Sequence, residues 1–157
     1  HYENFIVGKK LILNFIEQQD RDVFSIGTTS ARSLESLYWI ALKNFKNKTK
    51  NDFVLGQWEA YSLDHKNFSF IDAMHFLVEI LDQTNTNEIT AQTSLMMLPG
   101  YKHKVVKGLI TNFHQPRSTL LLLLASFIGD NWKTMYKHAL KNNYRFLSYG
   151  DSSLIIP

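Results

Sequence analysis

The chain has 157 residues, 45% of them hydrophobic and 13% aromatic, which is enough for one domain with a real core and excludes a disordered chain. Seventeen Lys and Arg against fourteen Asp and Glu leave a net charge of +3, which permits an RNA or phosphate partner without demanding one. With no cysteine, disulfides and thiolate metal sites are excluded, and the composition fits a cytoplasmic protein.

The opening HYENFIVGKK carries Glu3 ahead of a short apolar stretch and no small-residue cleavage site, so it does not read as a secretory leader. Residue 1 is not Met, and the chain is expected to be a piece of a longer protein. Apolar residues at positions 5, 6, 12, 13, 15 and 16 suggest a first helix ending near Gln19, after which DRD turns the chain. VFSIG (23 to 27) reads as a buried strand closed by Gly27. Leu34, Leu37, Tyr38, Ala41 and Leu42 then fall on one helical face, with Ser30 as the expected N-cap.

The basic stretch KNFKNKTKND (43 to 52) reads as a solvated loop in preference to a nucleic-acid arm, and FVLGQWEAYSL as extended chain. In SFIDAMHFLVEIL (69 to 81) apolar residues at 70, 73, 74, 77, 78 and 81 predict an amphipathic helix with Ser69 or Asp72 at its start. TSLMMLPGY and KVVKGLIT are expected to be two strands joined by a turn at Pro99-Gly100. The leucine run, LLLLLASFI, is about half the roughly 20 residues a membrane span requires, so a buried helix and no membrane partner are expected. A further helix is expected from Asn131 to Lys141, followed by two extended segments around Gly150-Asp151. Alternating strands and helices without repeats point to a single α/β domain over residues 1 to 157.

Chemistry concentrates in three polar clusters beside apolar strands: GTTSARSLE (27 to 35), TNFHQPRST (111 to 119) and SYGD (148 to 151). In open α/β sheets ligands bind at the carboxyl ends of strands, and these clusters meet there if their strands run parallel. Thr28, Thr29 and Ser30 can hold an anion at a helix start or simply cap the helix. Arg32 can pair with a ligand carboxylate or with Glu35 across the helix. Pro116 and Ser118 are explained by loop and cap geometry, which leaves Asn112 and His114. His114 is a candidate general acid or base, set against an ordinary structural histidine. Asp151 is either a turn residue or a ligand-facing carboxylate. The six histidines make no H-E-x-x-H pattern and no metal is expected; neither G-x-G-x-x-G nor a P-loop pattern occurs.

Taken together, VFSIGTTSARSLES, PGYKHKVVKGLITNFHQPRSTLLLLLASFIG and MYKHALKNNYRFLSYGDSSLI resemble, in order and spacing, the signature blocks of the S-adenosylmethionine:tRNA ribosyltransferase-isomerases of queuosine biosynthesis. HYE at positions 1 to 3 is similar to that family's H-x-E. The resemblance runs along nearly the whole chain but matches only the family's C-terminal portion, within its larger α/β domain and without the inserted β-barrel domain. Lys107 stands where many members have Asp, and residues 53 to 92 form a longer excursion, expected to be a subgroup elaboration.

The resemblance implies transfer and isomerisation of the ribosyl group of S-adenosylmethionine onto 7-aminomethyl-7-deazaguanine in tRNA, giving epoxyqueuosine with release of adenine and methionine. S-adenosylmethionine is then a ribosyl-donor substrate, and no recycled cofactor is implied. The sulfonium acidifies the adjacent 5′ carbon, so the reaction needs a base there and a proton donor for adenine. On this resemblance His114 and Asp151 carry catalysis, with Asp151 binding the amine or the modified base; Thr28, Thr29, Ser30, Arg32 and Asn112 bind the donor; and Arg145 and Tyr149 contact tRNA. The 157 residues alone are expected to be inactive. The alternatives are a noncatalytic α/β module that binds tRNA or a nucleoside, and a structural domain whose polar clusters are caps and turns.

Overall fold

The computed structural model describes residues 1–157, which form a mixed α/β chain as the alternation of elements predicts. It divides into two compact units: residues 1–22 with 33–95, and residues 23–32 with 96–157. No helix is long and apolar enough to cross a membrane.

In the first unit, β1 (Glu3–Gly8) pairs antiparallel with β4 (Glu88–Thr93), and β3 (Val54–Leu55) adds parallel to the other edge of β4. The sequence reading placed one helix from residue 5 onward; instead the chain is extended to Gly8 and α1 occupies Lys9–Glu17. Apolar residues at 5 and 6 extend a helical pattern by number alone, but the extended segment alternates, burying Val7 and exposing Ile6. β4 was missed altogether. Its apolar side chains are few, yet Ile89, Ala91 and Thr93 are buried in strict alternation with exposed Glu88, Thr90 and Gln92.

α4 (Phe70–Thr84) is the expected helix, carried three residues past Leu81. Ser69 accepts from the backbone of Asp72 while the Asp72 carboxylate accepts from Ser69, so both proposed starts act together in one capping box. Left-handed Asn85 ends the helix. Its face of Ala73, Met74, Leu77, Ile80 and Leu81 is buried, each large side chain contributing about 1.5–3 kcal/mol. α1 packs against it, with Phe15 edge-on to Phe70 at 5.4 Å. The segment expected to be extended after residue 53 keeps two strand residues and then turns into the short helix α3 (Glu59–Ser62). There Glu59, together with Asp52, pairs with the buried ammonium of Lys43.

In the second unit, β2 (Val23–Ile26) and β5 (Val106–Asn112) run parallel, and β6 (Ser152–Ile155) is antiparallel to β5. β2 is a strand as expected but not a buried one: it is an edge, with Phe24 and Ile26 exposed and Ser25 buried. The expected hairpin about Pro99-Gly100 does not form. Residues 94–105 are irregular, although Leu95, Met97, Tyr101 and Val105 are buried, so their apolar character marks core-facing loop. α2 (Thr28–Asn47) begins directly after Gly27, which puts Ser30 inside its first turn and rules out the N-cap role. α5 (Leu120–Ile128) buries Leu121, Leu123 and Leu124, and α6 (Asn131–Lys141) has the predicted bounds. Of the two final extended segments only β6 is one; Leu147–Tyr149 is a 3-10 turn.

Candidate active site at one end of the second sheet

The three polar clusters meet at one end of the β2–β5–β6 sheet. β2 and β5 deliver theirs from their carboxyl ends, since Ile26 pairs with Ile110 and the Gly27 N–H donates to the Ile110 carbonyl at 2.8 Å. SYGD reaches the same end by another route than a strand's carboxyl end. It precedes β6, and because β6 is antiparallel its start lies beside the end of β5, with Ser152 opposite Asn112 and Ser153 opposite Thr111.

Each cluster is shaped by its backbone. Gly27 has φ +87°, a conformation that L side chains rarely adopt, and this lets β2 turn straight into α2. Thr28 and Arg32 are half-buried and Thr29 and Ser30 exposed along the first turns of α2. Gly150 has φ +127°, and a Cβ there would lie 2.9 Å from the Arg145 guanidinium, so glycine permits the close approach of Arg145 to the loop.

Arg145 and Asp151, expected in different roles, are partners. The Arg145 backbone N–H donates to Asp151 Oδ2 at 2.5 Å and Nε donates to the same oxygen at 3.2 Å. These donors, the backbone N–H foremost, hold the Asp151 carboxyl below the ordinary carboxylate range. An ionised Asp151 is an acceptor and a charge, not a proton donor. Asn112 Nδ2 donates to the Asp151 carbonyl at 3.3 Å and ties the loop to β5. Tyr149 is 75% exposed.

His114 is buried, and two contacts fix it. Its Nε2 lies 3.0 Å from Thr111 Oγ1, and its backbone N–H donates to the Tyr136 hydroxyl at 2.7 Å. Phe113 and Phe146 pack around Tyr136 with ring centroids 5.4 and 5.8 Å away. Burial lowers the His114 pKa from its ordinary value, so the imidazole is neutral at pH 7. A neutral imidazole held at the end of a sheet by Thr111 and Tyr136 can take a proton from a carbon acid and return it.

Sequence reasoning named Asn112, His114, Arg145 and Asp151 but not the partners that hold them. Thr111 stood in the quoted motif without a role, and its spacing of three from His114 was the available signal. Tyr136 carried none, because it comes from α6. Ser118, read as a cap for α5, stands one residue before the N-cap Thr119, and its hydroxyl accepts from the Leu120 N–H at 3.2 Å.

The chain matches the sequence model of a family described as "Queuosine biosynthesis protein" over residues 1–155. Among curated proteins it is 36% identical to the S-adenosylmethionine:tRNA ribosyltransferase-isomerase of Prochlorococcus marinus strain MIT 9515, covering 100% of this chain and 32% of that protein. The enzyme of the same name from Polynucleobacter asymbioticus is 32% identical over 99% of this chain and 32% of its own length. Among solved structures, an S-adenosylmethionine tRNA ribosyltransferase from Thermotoga maritima superposes with a TM-score of 0.63 at 27% identity, over 98% of this chain and 40% of that one. The chain thus spans about a third of the length of the curated relatives it matches.

Proposed function

The chain belongs to the queuosine biosynthesis protein family, and from that premise we propose that it carries catalytic machinery for transfer and isomerisation of the ribosyl group of S-adenosylmethionine onto 7-aminomethyl-7-deazaguanine in tRNA. The products are epoxyqueuosine in tRNA, adenine and methionine. S-adenosylmethionine is consumed as ribosyl donor, and a tRNA substrate suits a cytoplasmic protein.

The observation that carries this reading is His114, neutral, buried and fixed at both ring and backbone where three polar segments converge. His114 takes the proton from the sulfonium-activated 5′ carbon and, as imidazolium, is the donor for departing adenine. Proton transfer from a positioned side chain of this kind contributes roughly 10²–10⁴-fold. Arg32 binds the methionine carboxylate, a pairing that suits a guanidinium fork. Thr28, Thr29, Ser30 and Asn112 hold the rest of the donor. Asp151, kept ionised by Arg145, attracts the amine of the modified base, and the exposed Tyr149 and Arg145 face the nucleic acid. The buried leucines of α5 keep water from reactive intermediates.

The test is calorimetric titration with S-adenosylmethionine of a chimaera in which these 157 residues replace the matching third of the Prochlorococcus marinus relative. Arg32→Ala is expected to weaken binding at least tenfold, in keeping with about 1.5–3 kcal/mol for a hydrogen bond to a charged group. Equal binding by both proteins contradicts the placement of the donor, and a chimaera that binds without turnover supports a noncatalytic module instead.

A further inference from the structure

Two features of His114 are independent of each other and point the same way. The Thr111 side chain comes from β5 itself, is buried, and meets only one of the two ring nitrogens, Nε2, at 3.0 Å. The Tyr136 hydroxyl, from α6, holds the backbone of the same residue, and Tyr136 is in turn wedged among Phe113, Trp132 and Phe146. One contact sets the rotation of the ring and the other sets the point from which it swings.

We propose that Thr111 is a positioning residue: its Oγ1 accepts the Nε2–H of His114, fixes the Nε2–H tautomer and leaves the Nδ1 lone pair as the base. The assignment rests on the proton-transfer role given to His114 above. Which nitrogen of an imidazole is protonated is set by the partner of the other one. A threonine hydroxyl is able to donate or accept, so it is the tautomer, and not mere contact, that carries the claim. Imidazolium formed at Nδ1 keeps its Nε2–H on Thr111, so proton uptake and return proceed without breaking the anchor.

The claim is tested first without turnover. Two-bond ¹H–¹⁵N spectra of the ¹⁵N-histidine-labelled chain at pH 7.5 are expected to show His114 as the Nε2–H tautomer. Thr111→Ser retains the hydroxyl and is expected to retain that pattern, while Thr111→Val, similar in shape, is expected to show a mixture of tautomers. In the chimaera, Thr111→Val then lowers kcat at least tenfold with KM for S-adenosylmethionine within twofold, and Thr111→Ser recovers most of the loss. An Nδ1–H tautomer in the unaltered chain, or a Thr111→Val protein with unchanged tautomer and kcat, overturns the proposal. Should the tautomer behave as stated while His114→Ala leaves turnover intact, the positioning by Thr111 stands and the catalytic role of His114 falls.

Discussion

Tyr136 lies 22 residues beyond His114 in the chain, yet its hydroxyl receives the His114 backbone N–H at 2.7 Å inside the second unit. The donor belongs to a buried loop residue with no helix or strand partner of its own, so the phenol does there what a ladder does elsewhere. Tyr136→Phe keeps the ring contacts and removes only the acceptor. It is expected to cost about 1–3 kcal/mol, the penalty of a buried N–H left unsatisfied, read as a lower midpoint in urea at unchanged slope. An unchanged midpoint would show that the loop relaxes to water and is not held.

The depressed pKa of His114 makes stability depend on pH with a definite sign. Burial lowers the folded-state value below the ordinary one near 6.5, so below that pH the unfolded chain binds this proton more readily than the native one. The native state is therefore at full advantage above about pH 6.5 and loses it as the pH falls toward the folded-state value. Urea midpoints measured between pH 8 and pH 5 are expected to fall more steeply for the unaltered chain than for His114→Gln. Parallel curves for the two proteins would remove His114 as the titrating group.

Gly108 sits in β5 opposite Phe24 of β2, and a Cβ there would approach the Phe24 ring to 2.5 Å and the Ile155 carbonyl to 3.0 Å. Overpacking of this kind costs about 1–3 kcal/mol. Gly108→Ala is expected to show that loss in urea, and much less of it when Phe24→Ala is made as well, because the ring is the nearer obstacle. Strictly additive losses would locate the clash at the β6 carbonyl instead.

What the sequence makes legible follows from how local the physics is. α4 and α6 are readable because their apolar spacing and end signals are contained within them: the capping box at Ser69 and Asp72 in one, the basic last turn with His138 and Lys141 in the other. β4 is not, since a strand whose buried face is Ile89, Ala91 and Thr93 looks polar until β1 supplies the other half of the pairing. The buried stretch around Leu95 and Met97 misleads in the opposite direction, being apolar because it faces core while its backbone is irregular.

The site shows the same division. The clusters at residues 27–35, 111–119 and 148–151 announce themselves as polar groups beside apolar strands, and the parallel pairing of β2 with β5 brings two of them together as the rule for open sheets predicts. That SYGD joins them from the start of an antiparallel strand depends on β6, whose direction no residue of the motif encodes. The pairing of Arg145 with Asp151 is likewise settled by a loop that only Gly150 allows to close.

The central claim is that His114 moves the proton. Turnover of tRNA bearing the aminomethyl base, followed by adenine release, is to be measured for the chimaera and its His114→Ala form, with circular dichroism and urea midpoints confirming that both are folded. Loss of general acid–base catalysis predicts a fall in kcat of at least 10²-fold with S-adenosylmethionine binding retained. A folded His114→Ala protein that releases adenine at the unaltered rate would contradict the account.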